Sequence, residues 1–174
     1  RDNRLRPSVW VRFDGRDIVI DTTPDFRYQA LRVHMPKLDA ILLTHGHADH
    51  ILGLDDVRPF NFRQSGNIPV YGSDETLSIV RRVFQYVFSE ARSESSRPKL
   101  ETVTIDASPF SLFEREIVPI PLFHGSMPVF GFRIGKLAYL TDHNRIPEES
   151  MMLLEGLDTL FLDAGTPSSP PPRH

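Results

Sequence analysis

The sequence predicts an α/β protein, in which 174 residues form one domain of strands and helices. Short apolar runs bounded by Gly, Pro or Asp recur along the chain and indicate strands, whereas a few longer stretches carry apolar residues at helical spacing. The composition, 40% hydrophobic and 25% charged, is ordinary for a protein with a globular core. We therefore expect the order strands, helices, strands, helix and strand within a single domain of residues 1–174.

The elements of the first half are predicted from turn, cap and spacing signals. Asp14-Gly15 between two strand-like runs indicates a tight hairpin, and Pro24 with Asp25 before a helical periodicity indicates a helix start. Pro59 is expected to break a further helix. In order, we predict strands 8–13 and 17–21, helix 26–35, buried strand 39–44, helix 50–57, strand 68–72 and helix 73–88.

The second half consists mainly of short strand-like runs, which follow a polar surface loop at residues 89–99. The apolar run 158–164 is expected to be a buried strand. Residues 165–174 are rich in proline and are expected to extend neither a sheet nor a helix. In order, we predict strands 100–106, 110–113, 116–123, 129–135 and 136–142, helix 146–157 and strand 158–164.

Charge and residue content exclude several classes of function. The formal net charge of -3 gives no general attraction to nucleic acid or to an anionic membrane, so neither is an expected partner. The chain has no cysteine, which excludes a disulfide, a thiolate metal ligand and a cysteine nucleophile. No apolar stretch reaches the ~20 residues that span a bilayer, so we expect a cytoplasmic protein unless its N-terminus has been trimmed. The sequence is compatible with a homodimer but does not determine the oligomeric state.

Residues 42–50, "LLTHGHADH", place three histidines and an aspartate at the end of an apolar run. Because His45 and His47 are two residues apart, an extended segment points both imidazoles to one side. If a helix begins there, Asp49 and His50 face a different direction, which suits two metal ions side by side. Packing alone hardly explains four such residues together, and nitrogen and carboxylate ligands without sulfur fit Zn²⁺ best, with Mn²⁺ or Fe also compatible.

Further ligands for a dinuclear site are available at the ends of later strands. His124 ends an apolar run before Gly125, and Asp142 ends another. Each residue alone would more often be a packing, capping or turn residue, but the cluster favours a metal-binding role for both. A carboxylate has two oxygens and can bridge two ions, and water bound between them loses its proton near neutral pH and becomes a nucleophile.

The pattern His-x-His-x-Asp-His after an apolar strand, followed by a distant His and Asp, resembles the metallo-beta-lactamase superfamily of hydrolases. This resemblance implies an αββα sandwich, with two sheets between outer helices and the metals at one sheet edge. The stretches "IDTTPDFRYQALR", "LTHGHADHILGLDDVRPFN", "IPVYG", "PLFHGSMPVFGFRIGKLAYLTD" and "RIPEES" resemble the branch that contains the phosphoribosyl cyclic phosphodiesterase of carbon-phosphorus lyase pathways. Compared with that branch, the chain looks incomplete at both termini.

The resemblance also implies roles for individual residues. Two Zn²⁺ ions per site are expected, and Asp49 and His174 are the candidate catalytic residues, with His174 placed to protonate the leaving group. Asp21 is expected to hold a ligand in place by hydrogen bonds. Apart from the resemblance, the position of Asp163 at the end of an apolar run indicates either a similar supporting role or a residue that simply ends a strand. The implied ligands are His45, His47, His124 and Asp142 for the first metal, and Asp49, His50 and Asp142 for the second.

The resemblance to this branch implies an enzyme, a metal-dependent phosphodiesterase that acts on small cyclic or nucleotide-like phosphodiesters through a metal-bound hydroxide. The alternatives are a thioester or lactone hydrolase on the same dinuclear site and a truncated, non-catalytic metal-binding domain. A transfer-RNA processing nuclease would be expected to carry a basic, Gly-rich arm, which is not visible. A true beta-lactamase commonly has a Cys ligand, and a flavodiiron protein usually has Glu where this chain has His47.

Overall fold

The computed structural model describes residues 4–89 and 96–163. By its internal contacts the chain divides into two compact units, one ending at Ser108 and the other beginning at Pro109, and each is described by itself. The assignment of residues 1–174 to a single domain stays a prediction. Part of the predicted loop 89–99 and the candidate catalytic residue His174 lie outside the described residues.

The first unit is a five-stranded sheet with helices between its strands. The sheet order is β1-β2-β3-β4-β5, in which β1 and β2 are antiparallel and all other neighbours are parallel. The elements are β1 (Val9–Phe13), β2 (Arg16–Ile20), α1 (Phe26–Arg32), β3 (Ala40–Leu42), α2 (Ala48–Ile51), a 3₁₀ helix (Leu52–Val57), α3 (Arg58–Gln64), β4 (Ile68–Gly72), α4 (Asp74–Val83), α5 (Gln85–Phe88) and β5 (Leu100–Thr104).

Two predicted boundaries of this unit follow from residues with positive φ. Asp14 and Gly15 have φ values of 47° and 71°, so they form a two-residue hairpin turn whose twist matches the flanking strands, and the predicted β1–β2 hairpin is confirmed. His34 has φ 51°, a left-handed conformation that cannot continue a helix. Helix α1 therefore ends before the predicted position 35.

Two helix predictions are corrected by the structure. Pro59 does not break the helical segment, because it lies in the first turn of α3, where no N–H is needed for an intrahelical bond. The predicted helix 73–88 begins as expected, since the Ser73 side chain caps α4 by accepting a bond from the Thr76 N–H at 3.1 Å. It is interrupted at Phe84, whose φ of -107° and ψ of 38° separate α4 from α5.

The core of the first unit packs helices against the sheet. Strand β3 is inaccessible on both faces, which confirms the prediction of a buried strand from a continuous apolar run. Helix α4 contributes Leu77 and Val80, and the segment around α1 contributes Phe26 and Leu38. Burial of these side chains holds the strand ends in place, because close-packed interiors leave little room for rearrangement.

The second unit is a sheet of order β10-β9-β8-β7-β6, in which β10 is parallel to β9 and all other neighbours are antiparallel. Its core contains Ile120, Leu122, Val129, Ala138 and Leu140. The elements are β6 (Phe110–Leu112), β7 (Arg115–His124), β8 (Met127–Ile134), β9 (Leu137–Leu140), α6 (Glu148–Met151), a short 3₁₀ helix (Met152–Leu154) and β10 (Thr159–Leu162).

The prediction that the last strand is buried is wrong. All four residues of β10 are exposed, and the accessible fraction of the residue is 43% for Leu160, 47% for Phe161 and 52% for Leu162. The strand pairs with β9 at one edge of its sheet, and an edge strand has a neighbour on one side only. An apolar run alone does not reveal whether its strand is central or at an edge.

The structure confirms a mixed α/β fold with two sheets. Among the residues it describes, we find no helix with the length and apolar character needed to cross a bilayer.

Gly53 provides a test of the packing that positions α2. Its N–H donates to the Thr22 carbonyl, and a Cβ at this position would lie 2.2 Å from the Thr23 carbonyl oxygen and 2.8 Å from the Phe26 Cβ. Gly53→Ala should therefore lower the free energy of unfolding by about 3 kcal/mol, measured by urea denaturation. Gly66→Ala is the matched control, because an added Cβ there meets nothing within 4 Å. Equal stability of the two variants would contradict this packing.

Candidate metal centre

The parallel pairing of β2 and β3 brings two distant segments of the first unit to the same sheet edge. Ile20 lies opposite Leu42, and the Asp21 N–H donates to the Leu42 carbonyl at 2.9 Å. The residue after β2 therefore lies beside the histidine-rich segment after β3, at the carboxyl ends of parallel strands, where open α/β sheets commonly bind ligands. The backbone also ties α2 to this edge, because the Thr22 N–H donates to the His50 carbonyl.

Asp21 is the centre of the hydrogen-bond network at this edge. Its side chain is fully buried and its backbone has φ 59°, a conformation that Asp tolerates better than most residues. One carboxylate oxygen accepts a bond from the Thr44 N–H at 2.9 Å. The other accepts from the Thr44 hydroxyl and from His50 Nδ1, both at 2.8 Å. Three bonds to one carboxylate fix both Thr44 and His50 in position.

The same network determines the tautomers of two histidines. Thr44 has one hydroxyl proton, which it donates to Asp21, so its oxygen accepts from His45 Nδ1 at 3.0 Å. His50 Nδ1 must likewise carry a proton, because the Asp21 carboxylate can only accept. In the neutral form of each imidazole, Nε2 is then the nitrogen without a proton, which is the atom that binds a metal.

The nitrogens of the cluster converge at a spacing suited to metal binding. His45 Nε2 lies 3.0 Å from His47 Nδ1, and a tetrahedral Zn²⁺ with bonds of 2.0–2.1 Å separates its ligand nitrogens by about 3.3 Å. Ring nitrogens of His45 and His50 lie within 4.8 Å of one another. His45 and His50 are 1% and 2% exposed, whereas His47 is exposed. This donor set fits a divalent ion with a preference for imidazole ligands.

Asp49 lies next to the histidines and contacts an arginine from the N-terminal segment. Its Oδ2 is 4.0 Å from His50 Nε2 and accepts a hydrogen bond from Arg6 Nη1 at 2.7 Å. Arg6 and Thr44 are not among the site residues predicted from the sequence. A hydroxyl residue directly before His45 was a signal for Thr44, whereas nothing in the local sequence pointed to Arg6.

In the second unit, two of the predicted ligands lie at the same end of the sheet. Strands β7 and β9 are both antiparallel to β8 and so run in the same direction. His124 is the last residue of β7, and Asp142 lies two residues after β9 with φ 47°. The loop after β9 is held against β7 by a bridge between Phe123 and Arg145. The side chains of His124 and Asp142 are both partly buried.

Asp163 follows β10 and is exposed. Its N–H donates to the Leu140 carbonyl at 3.0 Å, so its backbone leaves the sheet at the same edge as the end of β9. Its predicted role in holding a ligand stays a prediction.

The carboxyl ends of the parallel strands β2 and β3, which carry Asp21 and the histidine-rich segment, define an α/β protein with a candidate metal-binding cluster. A family model described as the beta-lactamase superfamily domain matches residues 16–173, and the chain belongs to this family. The resemblance to the metallo-beta-lactamase superfamily predicted from the histidine cluster is confirmed, and the two-sheet α/β structure matches the fold of that family.

Three relatives are similar over much of the chain. A crystal structure of a diphosphatase from the PhnP family is 47% identical with a TM-score of 0.84, covering 92% of this chain and 61% of that chain. An octanoyltransferase from Porphyromonas gingivalis is 35% identical, covering 93% of this chain and 33% of that protein. A ribonuclease Z from Bradyrhizobium diazoefficiens is 32% identical, covering 74% of this chain and 44% of that protein. The chain thus spans between one third and about three fifths of these relatives.

More distant solved structures share the fold alone. Zinc-bound PqqB from Methylobacterium extorquens is 22% identical with a TM-score of 0.67, covering 92% of this chain and 60% of that chain. A protein in a di-iron-bound form is 19% identical with a TM-score of 0.55, covering 91% of this chain and 87% of that chain.

Replacing Asp21 tests whether it holds the histidines for metal binding. Asp21→Asn supplies only one carbonyl oxygen in place of two carboxylate oxygens, so it cannot accept all three bonds, and the affinity for Zn²⁺ should fall by about 10- to 100-fold. Competition with a chromophoric chelator would measure the affinity of each variant for Zn²⁺.

The matched control is Asp17→Asn. Asp17 is equally buried, lies at the opposite end of β2 and accepts bonds from Trp10 and Arg12. This variant should lose stability but keep the zinc affinity of the unmodified chain. Equal zinc affinities for both variants would show that Asp21 has only a general structural role.

Proposed function

We propose that the chain is the metal-binding region of a metal-dependent phosphodiesterase that acts on small cyclic or nucleotide-like phosphodiesters. The observation that carries this proposal is the hydrogen-bond network of Asp21, in which His45 and His50 are both held through Nδ1, so that Nε2 of each ring is the nitrogen assigned to the metal. We further propose that His47, Asp49, His124 and Asp142 complete the ligand set, as the resemblance to the family implies. Nitrogen and oxygen donors without sulfur favour Zn²⁺, with Mn²⁺ or Fe as alternatives.

The bound metal would supply Lewis acidity toward a phosphoryl oxygen and lower the pKa of coordinated water. The protein's own groups have separate roles. Asp21 and Thr44 keep His45 and His50 in one tautomer, so their rings need not reorganise when an ion binds. Asp49 is assigned to the attacking water, because its carboxylate lies beside the histidines and is 32% exposed. His174 is assigned to protonation of the departing oxygen, and this role rests on the resemblance alone.

Phosphoryl rather than acyl transfer is supported by the relatives. The diphosphatase, at 47% identity, and the ribonuclease Z both carry names that describe cleavage of a phosphorus–oxygen bond. The octanoyltransferase, whose name describes acyl transfer, supports the second candidate, a thioester or lactone hydrolase on the same residues. The chain matches one third of that protein, compared with 61% of the diphosphatase.

Metal content per chain is the first test of the site. After dialysis against Zn²⁺, elemental mass spectrometry should find about two ions per chain, as a two-metal centre requires, and a clear loss in His45→Ala. His34→Asn is the control, because His34 is exposed outside the cluster and its φ of 51° suits Asn. Equal zinc content in both variants would exclude His45 as a ligand.

Substrate class is tested by hydrolysis assays on the zinc-loaded chain. Bis(p-nitrophenyl) phosphate and a 2′,3′-cyclic nucleotide should be cleaved, and His45→Ala should lower kcat/KM by about 100-fold or more, since it removes a metal ligand rather than a supporting group. A zinc-loaded protein that cleaves thioesters or lactones but no phosphodiester would reject the proposal in favour of acyl chemistry. Cleavage of RNA without turnover of small phosphodiesters would instead indicate a nuclease.

A further inference from the structure

Arg6 lies before the first strand, yet several hydrogen bonds hold its backbone. The Arg6 N–H donates to the Asp25 carboxylate at 2.8 Å, and the Arg6 carbonyl accepts a bond from Gln29 Nε2 at 2.7 Å. Asp25 directly precedes α1 and Gln29 lies within it. Helix α1 therefore fixes where the Arg6 side chain starts, although Arg6 belongs to no helix or strand.

The Arg6 side chain extends to the metal-ligand cluster. Nη1 donates to Asp49 Oδ2 at 2.7 Å, and the side chain of Arg6 is still 60% exposed. An exposed ion pair of this kind contributes little to the stability of the fold. Formation of the pair with Asp49 is therefore a weak reason, in terms of stability, for the two hydrogen bonds that hold the Arg6 backbone in place. A guanidinium has five N–H donors, and the contact with Asp49 involves one of its nitrogens. The group is thus both fixed beside the cluster and accessible from solvent.

We propose that Arg6 is a substrate-binding residue that donates hydrogen bonds to an anionic phosphoryl oxygen and so favours phosphoryl over neutral acyl substrates. This inference rests on the proposed function. The planar guanidinium carries a positive charge and matches the spacing of phosphate oxygens. The net charge of -3 offers no general attraction for an anion, so an anionic substrate depends on local positive groups, and Arg6 adds one to the proposed metal ions.

Arg6 contacts Asp49 at Oδ2, the same carboxylate oxygen that lies 4.0 Å from His50 Nε2, so the guanidinium lies at the edge of the histidine cluster. In this proposal, the N–H groups of the other guanidinium nitrogens donate to the substrate. Lysine would supply the charge without the paired donors, so Arg6→Lys should restore only part of the binding. A thioester or lactone carries no negative charge at its reacting carbonyl and would gain little from Arg6.

The test measures binding of inorganic phosphate to the zinc-saturated chain by isothermal titration calorimetry, together with hydrolysis of bis(p-nitrophenyl) phosphate. Arg6→Ala should weaken phosphate binding by about tenfold or more, as expected for loss of a hydrogen bond to a charged group. It should raise KM by a similar factor while kcat changes less than about threefold, because the contact is present in the ground state as well as in the transition state. The phosphate affinity and the KM of Arg6→Lys should lie between those of the unmodified chain and those of Arg6→Ala.

Arg16→Ala is the matched control. Arg16 forms a comparable exposed pair with Asp39, 3.2 Å between Nη1 and Oδ1, at the opposite end of β2, and its loss should change neither phosphate binding nor KM. Unchanged phosphate binding in Arg6→Ala, or a loss that merely follows a lower zinc content, would overturn the role of Arg6. So would failure of the unmodified zinc-loaded chain to bind phosphate.

The two proposals fail in different ways. If the zinc-loaded chain binds phosphate through Arg6 but cleaves no phosphodiester, the proposed function is rejected and the anion site stands. If phosphodiesters are cleaved and Arg6→Ala behaves like the unmodified chain, the function stands and Arg6 has no part in substrate binding.

Discussion

The candidate metal centre depends on one buried carboxylate. Asp21 is inaccessible to solvent, and a carboxylate without partners in such a place costs several kcal/mol. Its three hydrogen bonds offset this cost, and all three come from the segment after β3 or from α2. The interaction that stabilises Asp21 therefore also joins three pieces of chain, namely the end of β2, the loop after β3 and the first turn of α2.

This arrangement prepares the histidines before any ion arrives. His45 is held through Thr44, and His50 is held directly, so Nδ1 of each ring has a fixed hydrogen-bond partner, and in the neutral ring Nε2 is the nitrogen that binds a metal. A ligand that is already oriented loses less conformational freedom on binding, which raises affinity. Arg6 adds a second feature to the same edge, since a cation beside Asp49 supplies donors that a metal ion does not provide.

Strand direction explains why residues far apart in sequence meet at sheet edges. In the first unit, β2 and β3 are parallel, and Asp21 is thereby placed next to a segment more than twenty positions later. In the second unit, β7 and β9 run the same way across β8, and His124 and Asp142 leave the sheet at the same edge. Residues that follow strands of equal direction share an edge whatever their separation along the chain.

Local physical chemistry made much of the chain predictable. The Asp14-Gly15 hairpin, the Ser73 cap and the buried strand β3 follow from neighbouring residues alone, because each depends on backbone sterics, one short hydrogen bond or one continuous apolar run. The cluster from His45 to His50 predicted a metal centre for the same reason. Its ligands lie so close in sequence that they must lie close in space.

Tertiary structure decided what depends on distant partners. The sequence could not reveal that Thr44 bridges Asp21 and His45, nor that Arg6 reaches Asp49, because these contacts join residues that the fold alone brings together. The exposure of β10 was mispredicted for a related reason, since an apolar run records the character of a strand and not its place in the sheet. By itself the sequence determined the family, most elements and the residue types of the candidate metal centre. The fold determined their tautomers, contacts and exposure, because each of these requires a partner supplied from elsewhere in the chain.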